Sequence, residues 1–278
     1  MTSKRPKHGS LAMPEPRISF LIGGVQKGGT TALASFLRAS PHLRLPRDKE
    51  AHVFDAPDFD ERWTRDDIDQ RFQSGFAPED WDQPSLRMGD ATPITMFVPR
   101  VVRRVARYNP DMKWVILLRD PVSRAVSQWH MEHARGAETL PMALAFALER
   151  LRLAGRREDL AEHSPLRRHS YLARGDYAPQ LRVLREHFPA KNLLLLRSED
   201  LSRDPAGGVA AVLDHLGLPP LGGAVPTNPV FAGGYAPPRA WSPAIVVARF
   251  LSRSFASVDE CIHRHQRDVG GGGLDGSR

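Results

Sequence analysis

Short, nearly continuous apolar runs alternate with segments of helical period along this chain. The runs Ile18 to Ile22, Lys113 to Leu118 and Asn192 to Leu196 are of strand length and predict buried parallel strands. Each is followed by a predicted helix. The first helical run, Ala32 to Leu37, ends before Pro41; the second opens with Pro121 at its first position, takes Asp120 as its cap and runs through Trp129 toward His133. The third starts at Asp204-Pro205 and ends at Gly217. Further helices are predicted over Thr64 to Gln73, where Thr64 and Asp67 form a capping box, and over Pro99 to Tyr108, Pro141 to Arg152, Tyr177 to Phe188 and Pro243 to His265. Strand-crossover-strand connections of this kind build a parallel sheet covered by helices on both faces, so the fold class is α/β. Ligands on such sheets bind at the carboxyl ends of the strands.

Composition narrows this plan. The length of 278 residues suits one large domain, expected over 16–267, with a basic tail over 1–15 and a glycine-rich tail over 268–278 that have nothing to bury. No apolar run approaches the roughly 20 residues needed to span a bilayer, and Met1 to Pro16 lacks the apolar segment of a secretory signal. No transmembrane segment is expected. Cys261 is the only cysteine, which excludes an intrachain disulfide framework and a cysteine zinc site and favours a reduced, cytoplasmic setting. The net charge of +7 calls for an anionic partner. Because the arginines are scattered through helical stretches and no RNA-binding aromatic signature appears, a polyanionic small molecule fits better than nucleic acid.

The candidate chemistry sits at two strand ends. Between the first strand and its helix lies Gly23-Gly24-Val25-Gln26-Lys27-Gly28-Gly29-Thr30-Thr31, whose glycines allow a sharp turn and whose amides, with the helix dipole behind them, suit a phosphate. Its lysine stands before the last glycines, whereas a Walker A loop needs lysine and then Ser/Thr after them. That displacement argues against an ATP or GTP hydrolase. At the end of the second strand, Arg119, followed eight residues later by Ser127, offers a guanidinium fork and a hydroxyl suited to a phosphate monoester.

Together the two sites resemble the sulfotransferase family that uses 3'-phosphoadenosine 5'-phosphosulfate (PAPS). Val25 to Thr31 matches the family's loop for the 5'-phosphosulfate, and Arg119 with Ser127 matches its 3'-phosphate site. The wording is closest to the heparan-sulfate and Golgi-type carbohydrate branch. There, Asp48 to Asp55 looks like the segment carrying the catalytic glutamate, which maps onto Glu50. Further similarity lies in Gly89 to Pro93, in Gly175-Asp176-Tyr177 with Gln180-Leu181, and in Ser198 to Leu201. The chain departs from that branch at Ala91, where relatives often carry lysine, and at Phe231 to Arg239, where they carry a Lys-Gly-Arg loop over the cofactor.

The resemblance implies a P-loop-like three-layer α/β/α fold with a central, mainly parallel sheet. It implies PAPS as sulfuryl donor, no required metal, and an acceptor with a free hydroxyl. A carbohydrate or glycolipid is the favoured acceptor, a peptide tyrosine or other natural product the alternative. Lys27 and Glu50 are the implied catalytic residues; Gln26, Lys27, Gly28, Gly29, Thr30, Thr31, Arg119 and Ser127 the cofactor-binding ones, with Arg239 expected to replace part of the missing loop. His52 and Asp90 are reserve bases, and the adenine-stacking aromatic is open among Trp129, Tyr177, Tyr235 and Trp241. Two competing readings are a P-loop kinase or NTPase of unusual form and a non-catalytic anion-binding protein on the same fold.

Overall fold

The computed structural model describes residues 15–225 and 238–271. Five strands run in chain order: β1 Ile18–Gly24, β2 Leu43–Arg44, β3 Arg87–Asp90, β4 Lys113–Leu118 and β5 Leu193–Arg197. All pairings are parallel, and the sheet order is β2-β3-β1-β4-β5. The three apolar runs of the sequence are therefore β1, β4 and β5. β2 and β3 were not predicted, since two and four residues are too short to show a period. After β1 the chain builds β2 and β3 on one side and then crosses to build β4 and β5 on the other, which opens a crevice at the carboxyl end of β1.

The helices are α1 Thr30–Leu37, α2 Arg65–Gln73, α3 Pro78–Trp81, α4 Pro99–Tyr108, α5 Pro121–Ala134, α6 Met142–Arg152, α7 Pro165–His169, α8 Tyr177–His187, α9 Ser198–Arg203, α10 Pro205–His215, α11 Pro243–Leu251 and α12 Val258–Gly271. Side-chain caps fix several starts. Thr64 and Asp67 make the reciprocal capping box of α2, Asp120 accepts from the Ser123 amide at 2.8 Å, and Asp204 accepts from the Gly207 amide at 2.9 Å. One expectation is corrected at the C-terminus. The helix predicted over Pro243 to His265 is two helices, because Ser257 and Glu260 form a second capping box that starts α12 afresh. A second correction follows from the same helix, which continues through residues 268–271 of the predicted tail. Residues 1–14 and 272–278 of the two tails lie outside the described residues.

Alternate side chains of the central strands bury against opposite helical layers. Leu21, Trp114, Ile116 and Leu118 join residues of α2, α4 and α8 in one core, while Phe20, Ile22, Val115 and Leu117 join α1 and α10 in the other. A third, smaller cluster unites α5, α6 and α11 through Ala125, Phe146, Ile245 and Ala248. Packing over the sheet is close enough to require glycine at Gly23, where a Cβ would sit 2.3 Å from the ring of the fully buried Trp114. Gly23→Ala is expected to lower stability by about 2 kcal/mol through overpacking. Urea unfolding followed by tryptophan fluorescence checks this, and an unchanged midpoint would refute it.

Candidate active site

The loop after β1 is held from below by the neighbouring strand. The Val25 amide donates to the Leu117 carbonyl at 3.0 Å, and the Gly28 amide closes a turn onto the Val25 carbonyl at 2.9 Å. A Cβ on Gly28 would meet the Leu117 carbonyl oxygen at 2.8 Å, so only glycine lets the turn lie this close to β4. Lys27 has φ 68° and Gly29 has φ 95°; Gly29 then caps α1 without any side-chain hydrogen bond. With no acidic residue in its first turn either, α1 leaves its leading amides and its positive dipole end without an anion.

Cations crowd onto this end of the helix. Arg119, at the end of β4, donates through Nη1 to the Lys27 carbonyl at 3.0 Å, and the buried Tyr177 hydroxyl donates to the Arg119 carbonyl at 2.7 Å. Beneath them Arg124, wholly buried, donates to the carbonyls of Gln26 and Tyr171 and to Gln128 Oε1. Ser127, two turns into α5, lines the same wall. Lys27 Nζ lies 3.8 Å from Met131 Sδ and pairs with no carboxylate among the described residues. Burial, then Arg135 and Arg119, hold its pKa below the usual lysine range. An anion placed here would offset all three by favouring the charged ammonium.

Opposite stands the loop after β2. Lys49 and His52 adopt positive φ, 70° and 52°; with Lys27 they are the described non-glycine residues in that region, and all three line the cleft. Hydrogen bonds to the end of β3 pin this backbone: the Ala51 amide donates to Asp90 Oδ1 at 2.8 Å and the Ala91 amide to the Lys49 carbonyl at 3.2 Å. Glu50 is gripped by Lys49 through Oε1 and by His52 Nε2 at 3.3 Å through Oε2. His52 Nδ1 reaches Asp55 Oδ2 at 2.9 Å, and Arg167 reaches the same oxygen at 2.7 Å. Burial opposes the charge on Glu50, but the bonds from His52 and Lys49 outweigh it and bring its pKa below the normal carboxylate range. The hydrogen bond to Asp55, then that to Glu50, raises His52 to about 10. Asp90 differs: burial pushes it up to about 6.

These walls enclose a cleft of about 1250 Å³. It brings together Gln26, Lys27, Gly29, Thr30, Thr31, Glu50, Arg119 and Ser127, eight of the residues singled out in the sequence. Gly28 is buried on the β4 side of the loop and is not in the lining. Arg239 is not in the lining: it is exposed, its guanidinium 5.4 Å from the centre of the Trp241 ring. Trp129 is engaged by the Leu140 carbonyl and stacked on His133, and Tyr177 is buried under Arg119, which leaves neither ring free among the aromatic candidates. Trp241 is exposed and is not in the lining, and Tyr235 lies outside the described residues, as do 231–237 of the expected cofactor loop.

Lys49, Arg135, Arg167, Arg168 and Arg174 also line the cleft and were not singled out. Lys49 lies in the segment that carries Glu50, Arg135 just past the end of α5, Arg167 and Arg168 on α7 and Arg174 in the short turn before α8; none has a motif of its own, so only the fold could collect them. Seven lysines and arginines face four glutamates in this lining, a balance that suits an anionic ligand. The buried Gln26 Oε1 has no partner among the described residues. Among the described residues no cluster of His, Cys, Asp and Glu could hold a metal ion.

Residues 17–227 match the family model described as "Sulfotransferase domain". Over 211 residues the chain is 30% identical to human heparan sulfate glucosamine 3-O-sulfotransferase 3B1, an alignment covering 76% of this chain and 47% of that protein. Over 199 residues it is 33% identical to mouse heparan sulfate glucosamine 3-O-sulfotransferase 6, covering 71% and 52%. The chain thus spans about half the length of these curated relatives. It is also similar to the crystal structure of a sulfotransferase from Alicyclobacillus acidocaldarius, with a TM-score of 0.62 and 26% identity, covering 85% of this chain and 96% of that one.

The bridging of His52 by two carboxylates has a measurable consequence. Its folded pKa of about 10 exceeds the ordinary 6.5, so its stabilising contribution is complete below about pH 6.5 and is lost as pH rises through about 10. The imidazole resonances are expected to stay in the protonated form through neutral pH. The stability advantage of the wild type over His52→Gln should shrink between those limits, and an imidazole titrating near 6.5 would refute the assignment.

Proposed function

This chain belongs to the sulfotransferase family, and we propose that its cleft moves a sulfuryl group from PAPS to the hydroxyl of a carbohydrate or glycolipid. The observation that carries the reading is the facing of two unlike walls in one cleft. On one side an uncapped helix end stands with Lys27, Arg119 and Ser127; on the other, a carboxylate is held ionised by its neighbours.

The residues present fit the donor. Lys27 and the amides of Gly29 to Thr31 would hold the 5'-phosphosulfate end, and Arg119 with Ser127 the 3'-phosphate, while Gln26 offers an unpaired acceptor. PAPS supplies the sulfuryl group and a phosphate leaving group. Lys27 would stabilise charge developing on that leaving oxygen, where a cation helps the transition state more than the ground state. Glu50 is the proposed general base, its depressed pKa keeping it ionised at neutral pH to accept the acceptor hydroxyl's proton. Lys49 and His52 orient its two oxygens; releasing either bond would raise its basicity as the acceptor docks. Sulfuryl carries less charge than a γ-phosphoryl group, so these cations are proposed to suffice without a metal.

The carbohydrate acceptor is supported by the relatives named for heparan sulfate glucosamine and by the cationic far wall of Arg167 and Arg168. A cytoplasmic setting is part of the proposal, supported by the single, buried, free Cys261. No helix among the described residues is long and apolar enough to cross a membrane.

Adenosine 3',5'-bisphosphate without magnesium is expected to raise the melting temperature, as a ligand of the native state must. Lys27→Ala and Arg119→Ala should each weaken that binding about tenfold or more. Glu50→Gln should preserve binding while slowing transfer from radiolabelled PAPS by roughly 10²- to 10⁴-fold. Stabilisation by magnesium ATP alone would overturn the donor, and full turnover in Glu50→Gln would overturn the base. Transfer to a tyrosine peptide but to no glycan or glycolipid would overturn the acceptor.

A further inference from the structure

Large apolar side chains are exposed in one part of the molecule far more than elsewhere. Of the six that stand well out of the described surface, Leu144 and Leu151 lie on α6, Val246 and Phe250 on α11, and Trp241 just before α11. These two helices pack against each other over the small third core. Leu151 and Trp241 are 73% and 70% exposed, which is more than incidental surface apolarity requires. On α11, Val246 and Phe250 are four residues apart and share a helix face, while Ile245 and Ala248 occupy the buried face. The helix therefore has apolar residues on both sides, only one of which the fold covers.

The charges carried by α11 and its lead-in have one sign. Residues 238–257 contain Arg239, Arg249 and Arg253 and no acidic residue. The guanidinium of Arg253 lies 4.5 Å from the centre of the Phe250 ring and that of Arg239 lies 5.4 Å from the Trp241 ring. On α6, Arg150 is exposed and the one carboxylate, Glu149, is buried, accepting from the Leu172 and Ala173 amides at 2.6 and 2.7 Å. Aromatic rings flanked by arginines, with no carboxylate among them, match the boundary between acyl chains and anionic headgroups. A second copy of this chain is a poor occupant, because a twofold contact would oppose Arg249 and Arg253 to their own counterparts with no acid to pair with them.

We propose that the α6–α11 face docks on an anionic lipid surface, with Trp241 and Phe250 entering the interface and Arg249, Arg253 and Arg150 meeting lipid phosphates. Ile245 and Arg249 share a small cavity of about 330 Å³ with Arg119 and Asp120, the one carboxylate in that lining, so the face adjoins the wall of the anion cleft. Docking would bring that cleft to the membrane. The inference does not depend on the sulfotransferase reading.

Co-sedimentation of the full chain with vesicles of phosphatidylcholine, with or without phosphatidylglycerol, tests it. Binding is expected to the phosphatidylglycerol vesicles and to fade at high salt. Trp241→Ser with Phe250→Ser should weaken it at least about tenfold, and Arg249→Gln with Arg253→Gln should weaken it on anionic vesicles. Both double variants should keep the wild-type melting temperature and its rise with adenosine 3',5'-bisphosphate, which separates a lost surface from a lost fold or cleft. Absence of vesicle binding, binding equally strong in both variants, or a dimer that Trp241→Ser with Phe250→Ser dissociates would overturn the proposal.

Discussion

The cleft depends on a short relay of backbone carbonyls between β1 and β4. Leu117 receives the Val25 amide, Lys27 receives the Arg119 guanidinium, and Arg119 in turn receives the Tyr177 hydroxyl. These bonds fix the loop backbone from below and from the side, so the left-handed conformations of Lys27 and Gly29 are imposed by the fold around them. They also consume carbonyl oxygens rather than carboxylates. Arg119 and Lys27 are thereby held close together with their charge left over, and burial, then Arg135 and Arg119, depress the pKa of Lys27. A site built this way is poorest without an anion and gains most from receiving one.

The facing loop follows the opposite rule. There each charge has a partner: Lys49 with Glu50, Glu50 with His52, His52 with Asp55, Asp55 with Arg167. Such a chain is nearly neutral along its length, and its value is directional, because each group is oriented by the next. Asp90 anchors the Ala51 amide from inside the sheet and belongs to the support of this loop. Its raised pKa reflects burial, and as a group that bonds the loop's own backbone it is a weaker candidate base than Glu50.

Much of this was legible in the sequence, for identifiable reasons. Long apolar runs between glycine and proline signals gave β1, β4 and β5, and both anion-binding segments follow those strands directly, so locating the strands located Lys27 and Arg119. β2 and β3 escaped because their pairing is tertiary, β3 on β1 and β2 on β3, which no local period of two or four residues can announce. The segment from Pro243 looked like one helix because its apolar spacing continues through the break; the capping pair Ser257 and Glu260 outweighs that continuity. Glu50 was found only through resemblance. A glutamate in a charged loop has no periodic signature, and the left-handed turns at Lys49 and His52 that aim it are borne by residues giving no glycine-like warning.

The far wall was the least legible part, and it differs physically from the donor wall. Amides, glycines and strand ends make the donor side, all dictated by backbone geometry; side chains from the five-residue α7 and its flanking segments make the other. Arg167 nevertheless ties the two functions together. It lines the cleft, donates to the Leu160 carbonyl at 2.9 Å, and grips Asp55 through both its carboxylate and its carbonyl. Through Asp55 it sets the charge and orientation of His52, and through His52 those of Glu50. Asp55 Oδ2 is thus shared between Arg167 and His52, and His52 between Asp55 and Glu50, so displacing Arg167 would change the hold on the proposed base through both shared groups.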